Sequence, residues 1–90
     1  MFYVYILLSK KDGQLYVGFT PDLKQRFKKH ENGYVLATKN RRPLVLIYYE
    51  AYTSNTHAKR REKYLKGGKG RSELKIQLKE CFKKMNYKYR

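Results

Sequence analysis

Tyr3-Val4-Tyr5-Ile6-Leu7-Leu8, the polar turn Ser9-Lys10-Lys11-Asp12-Gly13 and then Gln14-Leu15-Tyr16-Val17-Gly18 form the stretch on which the fold turns. Both arms are rich in β-branched and aromatic side chains, which suit a pleated and half-buried surface, and Asp12-Gly13 supplies the backbone freedom of a reversal. The stretch reads as a β-hairpin. Side chains alternate across a strand, so Tyr3, Tyr5 and Leu7 share one face, and Tyr16 shares a face with Gly18 on the second arm. The phenols of Tyr5 and Tyr16 meet across the pair if the register allows it. Taken alone, each is a packing residue with a wet hydroxyl.

Outward from the hairpin, Thr20-Pro21-Asp22 offers a cap, a first helical position and an acid for the positive end of a helix dipole. The predicted helix runs from Pro21 to about Glu31 and stops at Asn32-Gly33, with Leu23 and Phe27 inward and Arg26 and His30 forming a second stripe beside them. Residues 34–43 read as a loop in which Lys39, Arg41 and Arg42 precede Pro43. It is a candidate phosphate-contacting loop or a solvated basic connection. Leu44-Val45-Leu46-Ile47-Tyr48-Tyr49 is a continuous apolar run, which predicts a strand buried on both faces and therefore central in its sheet. Thr53-Ser54-Asn55 caps a second helix over about Thr56–Lys66, ended by Gly67-Gly68. Ala58, Arg61, Glu62 and Leu65 recur at steps of three and four, which sets Glu62 on or beside the core-facing stripe. By itself Glu62 reads as a surface ion-pairing residue. Ser72 caps a predicted third helix with the stripe Leu74, Leu78, Cys81, Phe82 and Met85, and residues 86–90 read as a frayed tail.

Ninety residues fit one domain, here 1–90 with its core over about 2–85, and a 41% hydrophobic fraction with 10 tyrosines and 4 phenylalanines supports an aromatic core. Lys and Arg number 22 against 7 acids, for a net charge of +15. Such a surface expects a polyanion, and nucleic acid rewards it by counterion release. With about six phosphates neutralised, affinity is expected to fall roughly a thousandfold between low and moderate salt. No segment joins a basic face to a large apolar one, so a membrane surface is the weaker match. The single cysteine, Cys81, excludes a disulfide framework or a cysteine zinc site within one chain and suits a reducing, cytoplasmic setting. Met1–Leu8 lacks a basic n-region and is cut short by Ser9-Lys10-Lys11, so it does not read as a signal peptide, and no stretch approaches a membrane span.

Tyr3-Val4-Tyr5, then Tyr16-Val17-Gly18, Asp22-Leu23 with Arg26, and Ala58 with Arg61-Glu62 and Lys66 together resemble the GIY-YIG nuclease domain, and its small stand-alone bacterial branch in particular. The likeness spans about residues 2–80, in the family's order. It implies an α+β fold, a three-stranded antiparallel sheet flanked by about three helices in the order β-β-α-β-α-α. It also implies hydrolysis of phosphodiester bonds in DNA with one divalent metal, Mg²⁺ or Mn²⁺, in a setting such as repair or recombination. By the same resemblance Tyr5 and Tyr16 match the motif tyrosines, Arg26 the helix arginine and Glu62 the metal-binding glutamate. His30 is similar to a histidine of the stand-alone branch, and Lys66 to a basic residue one turn beyond the glutamate. The chain departs from the wider family in reading Tyr-Val-Tyr for Gly-Ile-Tyr. Phe19 stands where excision-repair members carry a lysine, and no asparagine lies between Glu62 and Asn86.

Chemistry gives each matched position a reason. Phosphodiester hydrolysis needs an in-line water, a base for its proton and positive charge around the transition state. Glu62 would hold the cation as a hard oxygen ligand, and Arg26 would clamp the phosphate. Tyr5 or Tyr16, with His30 assisting, would take the proton once nearby cations lower a phenol's ordinary value near 10. Lys39, Arg41, Arg42, Arg61 and Lys66 are the expected nucleic-acid contacts. The alternative is a nucleic-acid-binding module of the same fold with little or no catalysis, in which tyrosines stack on bases. Glu62 weighs against it, because a lone acid in a basic helix repels phosphate unless it holds a metal. RNA in place of DNA stays open, as does a protein partner that supplies specificity.

Overall fold

The structure is a computed structural model that describes residues 1–84. The predicted frayed tail, residues 86–90, lies outside the described residues, as does Met85. The hairpin forms as expected. Strand β1, Phe2–Ser9, pairs antiparallel with β2, Leu15–Thr20, and its turn places Gly13 at φ 70. Ser9 organises that turn, since its Oγ accepts from the amides of Lys11 at 3.2 Å and Asp12 at 3.1 Å.

After helix α1, Leu23–Glu31, and a short 3₁₀ turn, Lys39–Arg41, strand β3, Leu44–Tyr52, pairs antiparallel with the other side of β1. The sheet order is therefore β2-β1-β3. Helices α2, Asn55–Lys66, α3, Gly68–Gln77, and α4, Lys79–Lys84, follow. Val4, Ile6, Leu8, Leu15 and Val17 face these helices and meet Ala58, Leu65, Leu74, Leu78 and Phe82 in the main core. On the opposite face Tyr5, Leu7 and Leu44 lie under Leu23 and Phe27 of α1. The sheet is thus covered on both sides, by α1 on one and α2–α4 on the other. Each fully buried aliphatic side chain of β1 contributes about 1.5–3 kcal/mol. No helix among the described residues is long and apolar enough to cross a membrane.

Three expectations need correction. The run Leu44–Tyr49 does not form the central strand; β1 holds that place and β3 is an edge. The run is continuous because the ladder slips between Ile6 and Leu7, where Tyr48 opposes Ile6 and Leu46 opposes Leu7, leaving Ile47 as the extra residue of a β-bulge. Ile47 and Tyr48 both pack on the main core, while Leu44 and Leu46 pack on the α1 side. A run without alternation here records a bulged edge strand that packs on both faces, not a central one.

The second correction concerns α1, which is capped by Asp22, not Thr20: the Asp22 side chain accepts from the Gln25 amide at 3.1 Å. Thr20 Oγ1 instead accepts from the Asp22 amide at 3.1 Å, a turn one step ahead of the cap. The third concerns the last helix, which begins at Gly68 with Gly67 as its cap, so Ser72 lies inside α3. Glycine disfavours a helix interior, but a Cβ at Gly70 would lie 2.1 Å from the Tyr64 carbonyl oxygen. Close approach of α3 to α2 thus overrides propensity. The helix also breaks at Leu78, which caps α3 before α4 begins.

Candidate active site

The register opposes Tyr5 to Gly18 and Leu7 to Tyr16, so the two phenols are diagonal neighbours with ring centroids 6.3 Å apart. Gly18 matters because the Tyr5 ring crosses directly over it. A Cβ there would sit 2.3 Å from both Cζ and the hydroxyl oxygen of Tyr5. The only residue without a side chain therefore lets the phenol lie across β2 toward α1.

On α1, Arg26 and His30 stand one turn apart and both reach Tyr5. Arg26 Nε donates to the Tyr5 hydroxyl at 3.4 Å, and His30 Nε2 lies 2.8 Å from the same oxygen. His30 Nδ1 lies 2.7 Å from Thr38 Oγ1. The His30 ring thus bridges the Tyr5 hydroxyl to Thr38, and its tautomer sets which of the two ring nitrogens donates. His30 and Thr38 are both at 0% exposure and Tyr5 at 1%. Tyr16 is half-buried, and its ring meets that of His30 edge-on at 5.3 Å.

Electrostatics follow from this packing. Burial pushes the Tyr5 phenol above its ordinary value, against the pull of the Arg26 hydrogen bond, and the charge of Glu62 on α2 pushes in the same direction as burial. Glu62 therefore lies within electrostatic reach of Tyr5. Hydrogen bonds to Tyr5 and, more weakly, Tyr16 hold the Arg26 guanidinium charged. Burial, with the Arg26 charge beside it, lowers His30 to about 4.

That last shift carries a stability prediction. In the unfolded chain His30 binds a proton near 6.5, whereas in the folded protein it does so only near 4. Its folded value is depressed, so the stability it contributes is complete above pH 6.5 and is lost as pH falls toward 4. Urea midpoints measured across that window should fall more steeply for the wild type than for His30→Gln. Parallel curves would refute a buried neutral imidazole.

Tyr5, Tyr16, Arg26, His30 and Glu62 thus form one neighbourhood, and Lys66 adjoins it through an ion pair of 2.9 Å with Glu62. The other expected contacts lie elsewhere and are engaged in the fold. Arg41 Nε pairs with Asp12 Oδ2 at 2.7 Å, which holds the Asp12 carboxyl down at about 2. Arg42 donates to the carbonyls of Lys39 at 3.0 Å and Glu31 at 3.1 Å. Arg61 grips Glu50 through Nε at 3.0 Å and Nη2 at 3.2 Å. Lys39 is exposed in the 3₁₀ turn. Sequence reasoning missed Thr38 and Glu50. Thr38 carries no local signal, but Glu50 was visible as the acid closing an apolar run.

No group of three or more His, Cys, Asp or Glu side chains suited to a metal occurs among the described residues. One half-buried carboxylate, Glu62 at 21% side-chain exposure, is the donor at the cluster. A hard cation that keeps several waters and takes further oxygens from a phosphate is compatible with one such ligand, whereas a cation needing an all-protein cage is not.

These features define a class of small α+β domain whose chemistry sits across a hairpin, the helix after it and one acid from a later helix. A family model described as the GIY-YIG catalytic domain matches residues 1–76, and the chain belongs to that family of nucleases. Among its relatives is a UPF0213 protein of Clostridium perfringens, 38% identical over 88 residues that cover 97% of this chain and 94% of the relative. Another, from Staphylococcus saprophyticus, is 39% identical over 75 residues, covering 82% of this chain and 90% of the relative. The solution NMR structure of a UPF0213 protein from Bacillus halodurans aligns with a TM-score of 0.54 at 37% identity, over 88% of this chain and 86% of that one.

Proposed function

We propose that the protein is a divalent-metal-dependent endonuclease that hydrolyses phosphodiester bonds in DNA. One observation carries the reading: Arg26 donates to the Tyr5 hydroxyl, beside which stand the Tyr16 ring and, within electrostatic reach, the Glu62 carboxylate. In this reading Arg26 binds the scissile phosphate. Its charge is fixed by Tyr5, and the position of Tyr5 is fixed by His30 and Thr38.

Tyr5 is a positioning residue in this arrangement. Its exposure is 1%, both directions of its hydroxyl are engaged, and burial makes its phenolate costly. The half-buried Tyr16 is the phenol left to face the substrate, and as the phenolate it would take the proton of the attacking water. The water oxygen bonds to phosphorus, the bond to the leaving oxygen breaks, and that oxygen takes a proton from solvent, to which Tyr16 returns the one it accepted. Glu62 would hold Mg²⁺ or Mn²⁺, which supplies Lewis-acid stabilisation of phosphate charge when bound.

The test is cleavage of supercoiled, branched and single-stranded DNA, with RNA of matched sequence, in Mg²⁺, Mn²⁺ or EDTA. DNA cutting that depends on the cation is the expected result. Binding without cutting of any DNA in either cation would overturn it and leave a binding module.

A further inference from the structure

Helix α2 has two flanks. Glu62 and Lys66 occupy the one within reach of the tyrosine cluster, whereas His57, Arg60, Arg61 and Tyr64 recur at steps of three and four along the other. Between that second flank and the end of β3 is a cavity of about 420 Å³ lined by Tyr52, His57, Arg60, Arg61 and Tyr64. Its walls are two aromatic rings and three side chains that carry or can acquire positive charge, with no acid among them.

The walls are held from behind. Glu50, at 15% side-chain exposure, accepts from the hydroxyls of Tyr52 and Tyr48, each at 2.7 Å, and from both nitrogens of the Arg61 fork. Gln77 of α3 donates to the Tyr48 hydroxyl at 3.2 Å. Arg61 lies over the Tyr64 ring at 5.7 Å, and the Glu73 carboxylate pushes the Tyr64 phenol above its ordinary value. Tyr52 and Arg61 therefore keep fixed positions without a ligand, and Glu50 neutralises the charge of Arg61. Arg60 has no ion-pair partner among the described residues and is exposed at the rim, as is His57.

We propose that this cavity is a second nucleic-acid site, distinct from the cluster at Arg26, that takes one unpaired nucleotide. The base stacks on Tyr52 and Tyr64, and the phosphate meets Arg60 and His57. Aromatic faces beside unneutralised cations are the chemistry that holds single strands without reading sequence. A base within a duplex cannot stack here, because both of its faces are covered by neighbouring bases and it must leave its stack to lay one on either ring. The site lies on the far flank of α2 from Glu62, so a strand engaging both wraps a helix about 10–12 Å across and must span several nucleotides.

The experiment reads binding in EDTA, so its outcome is separate from whether the protein cleaves DNA. Thymidine monophosphate is titrated into ¹⁵N-labelled protein at fixed salt, with inorganic phosphate as the comparison. Saturable shifts at the amides of Tyr52, His57, Arg60 and Tyr64, larger with the nucleotide than with phosphate, are expected. Equal shifts with phosphate, or nucleotide shifts confined to the Arg26 neighbourhood, overturn the site. With a labelled 12-residue oligothymidine, Tyr64→Ala and Arg60→Ala should each weaken binding roughly tenfold, the scale of one base–aromatic contact. Tyr64→Phe, which keeps the ring, should bind as the wild type does. Wild-type affinity in Tyr64→Ala would equally overturn the proposal.

Discussion

Glu62→Ala is expected to bind DNA at least as tightly as the wild type and to cut it on the order of a thousandfold more slowly. Both halves follow from one position. Glu62 is the carboxylate within electrostatic reach of Tyr5, and its charge opposes any phosphate unless a cation intervenes. Its removal subtracts repulsion from a +15 chain while deleting the carboxylate that, on the proposed reading, holds the cation. Structure should survive, because its ion pair is the i,i+4 contact with Lys66 on a helix surface, worth only about 0.3–0.5 kcal/mol. Cleavage rate and fluorescence anisotropy on the same labelled DNA check both. Rate and affinity lost together would point to a folding or binding defect, and an undiminished rate would remove Glu62 from the chemistry.

Gly18→Ala should be almost as damaging to activity without replacing any candidate catalytic group. The new methyl would meet the Tyr5 ring at 2.3 Å, so either the phenol leaves its place or β2 shifts away from β1. Overpacking of this kind costs about 1–3 kcal/mol of stability. The larger effect is on geometry: once the Tyr5 oxygen moves, Arg26 loses its anchor and His30 Nε2 its buried partner. A rate loss of roughly a hundredfold or more with a folded spectrum is the expected outcome, since small misplacements of positioned groups have effects of that size. Thermal melts and cleavage assays on Gly18→Ala beside Tyr5→Phe separate the two routes. The phenylalanine variant keeps the ring in place and loses only the hydroxyl. Wild-type activity in Gly18→Ala would mean that the Tyr5 position is irrelevant to catalysis.

Much of this was legible in the sequence, for reasons that are local. The hairpin announced itself because alternation, aromatic content and an Asp-Gly turn all act within 16 residues, and the Tyr5–Tyr16 encounter follows from strand parity. The role of β3 was illegible because a bulge breaks parity, and parity is the signal from which a buried face is read. The start of α3 was hidden for a different reason: Gly68 and Gly70 look like a linker until α2 is present beside them. Arg41 and Arg42 resemble free phosphate contacts because their partners, Asp12 and the Glu31 carbonyl, are 29 and 11 residues away. Charge is written in the sequence; whether it is already neutralised is not.

The bulged edge strand bears on how the protein behaves in concentrated solution. β3 is a nine-residue edge strand with one charged residue, Glu50, and no lysine or arginine, in a chain that elsewhere is densely basic. Strands of that composition invite stacking into aggregates. While the protein is free, mutual repulsion keeps such edges apart. Coating by a polyanion cancels that repulsion, and the kink at Ile47 is then the remaining local obstacle to edge-to-edge growth. Turbidity near charge equivalence with DNA, and its increase when the extra residue is deleted, is the colloidal signature this geometry carries.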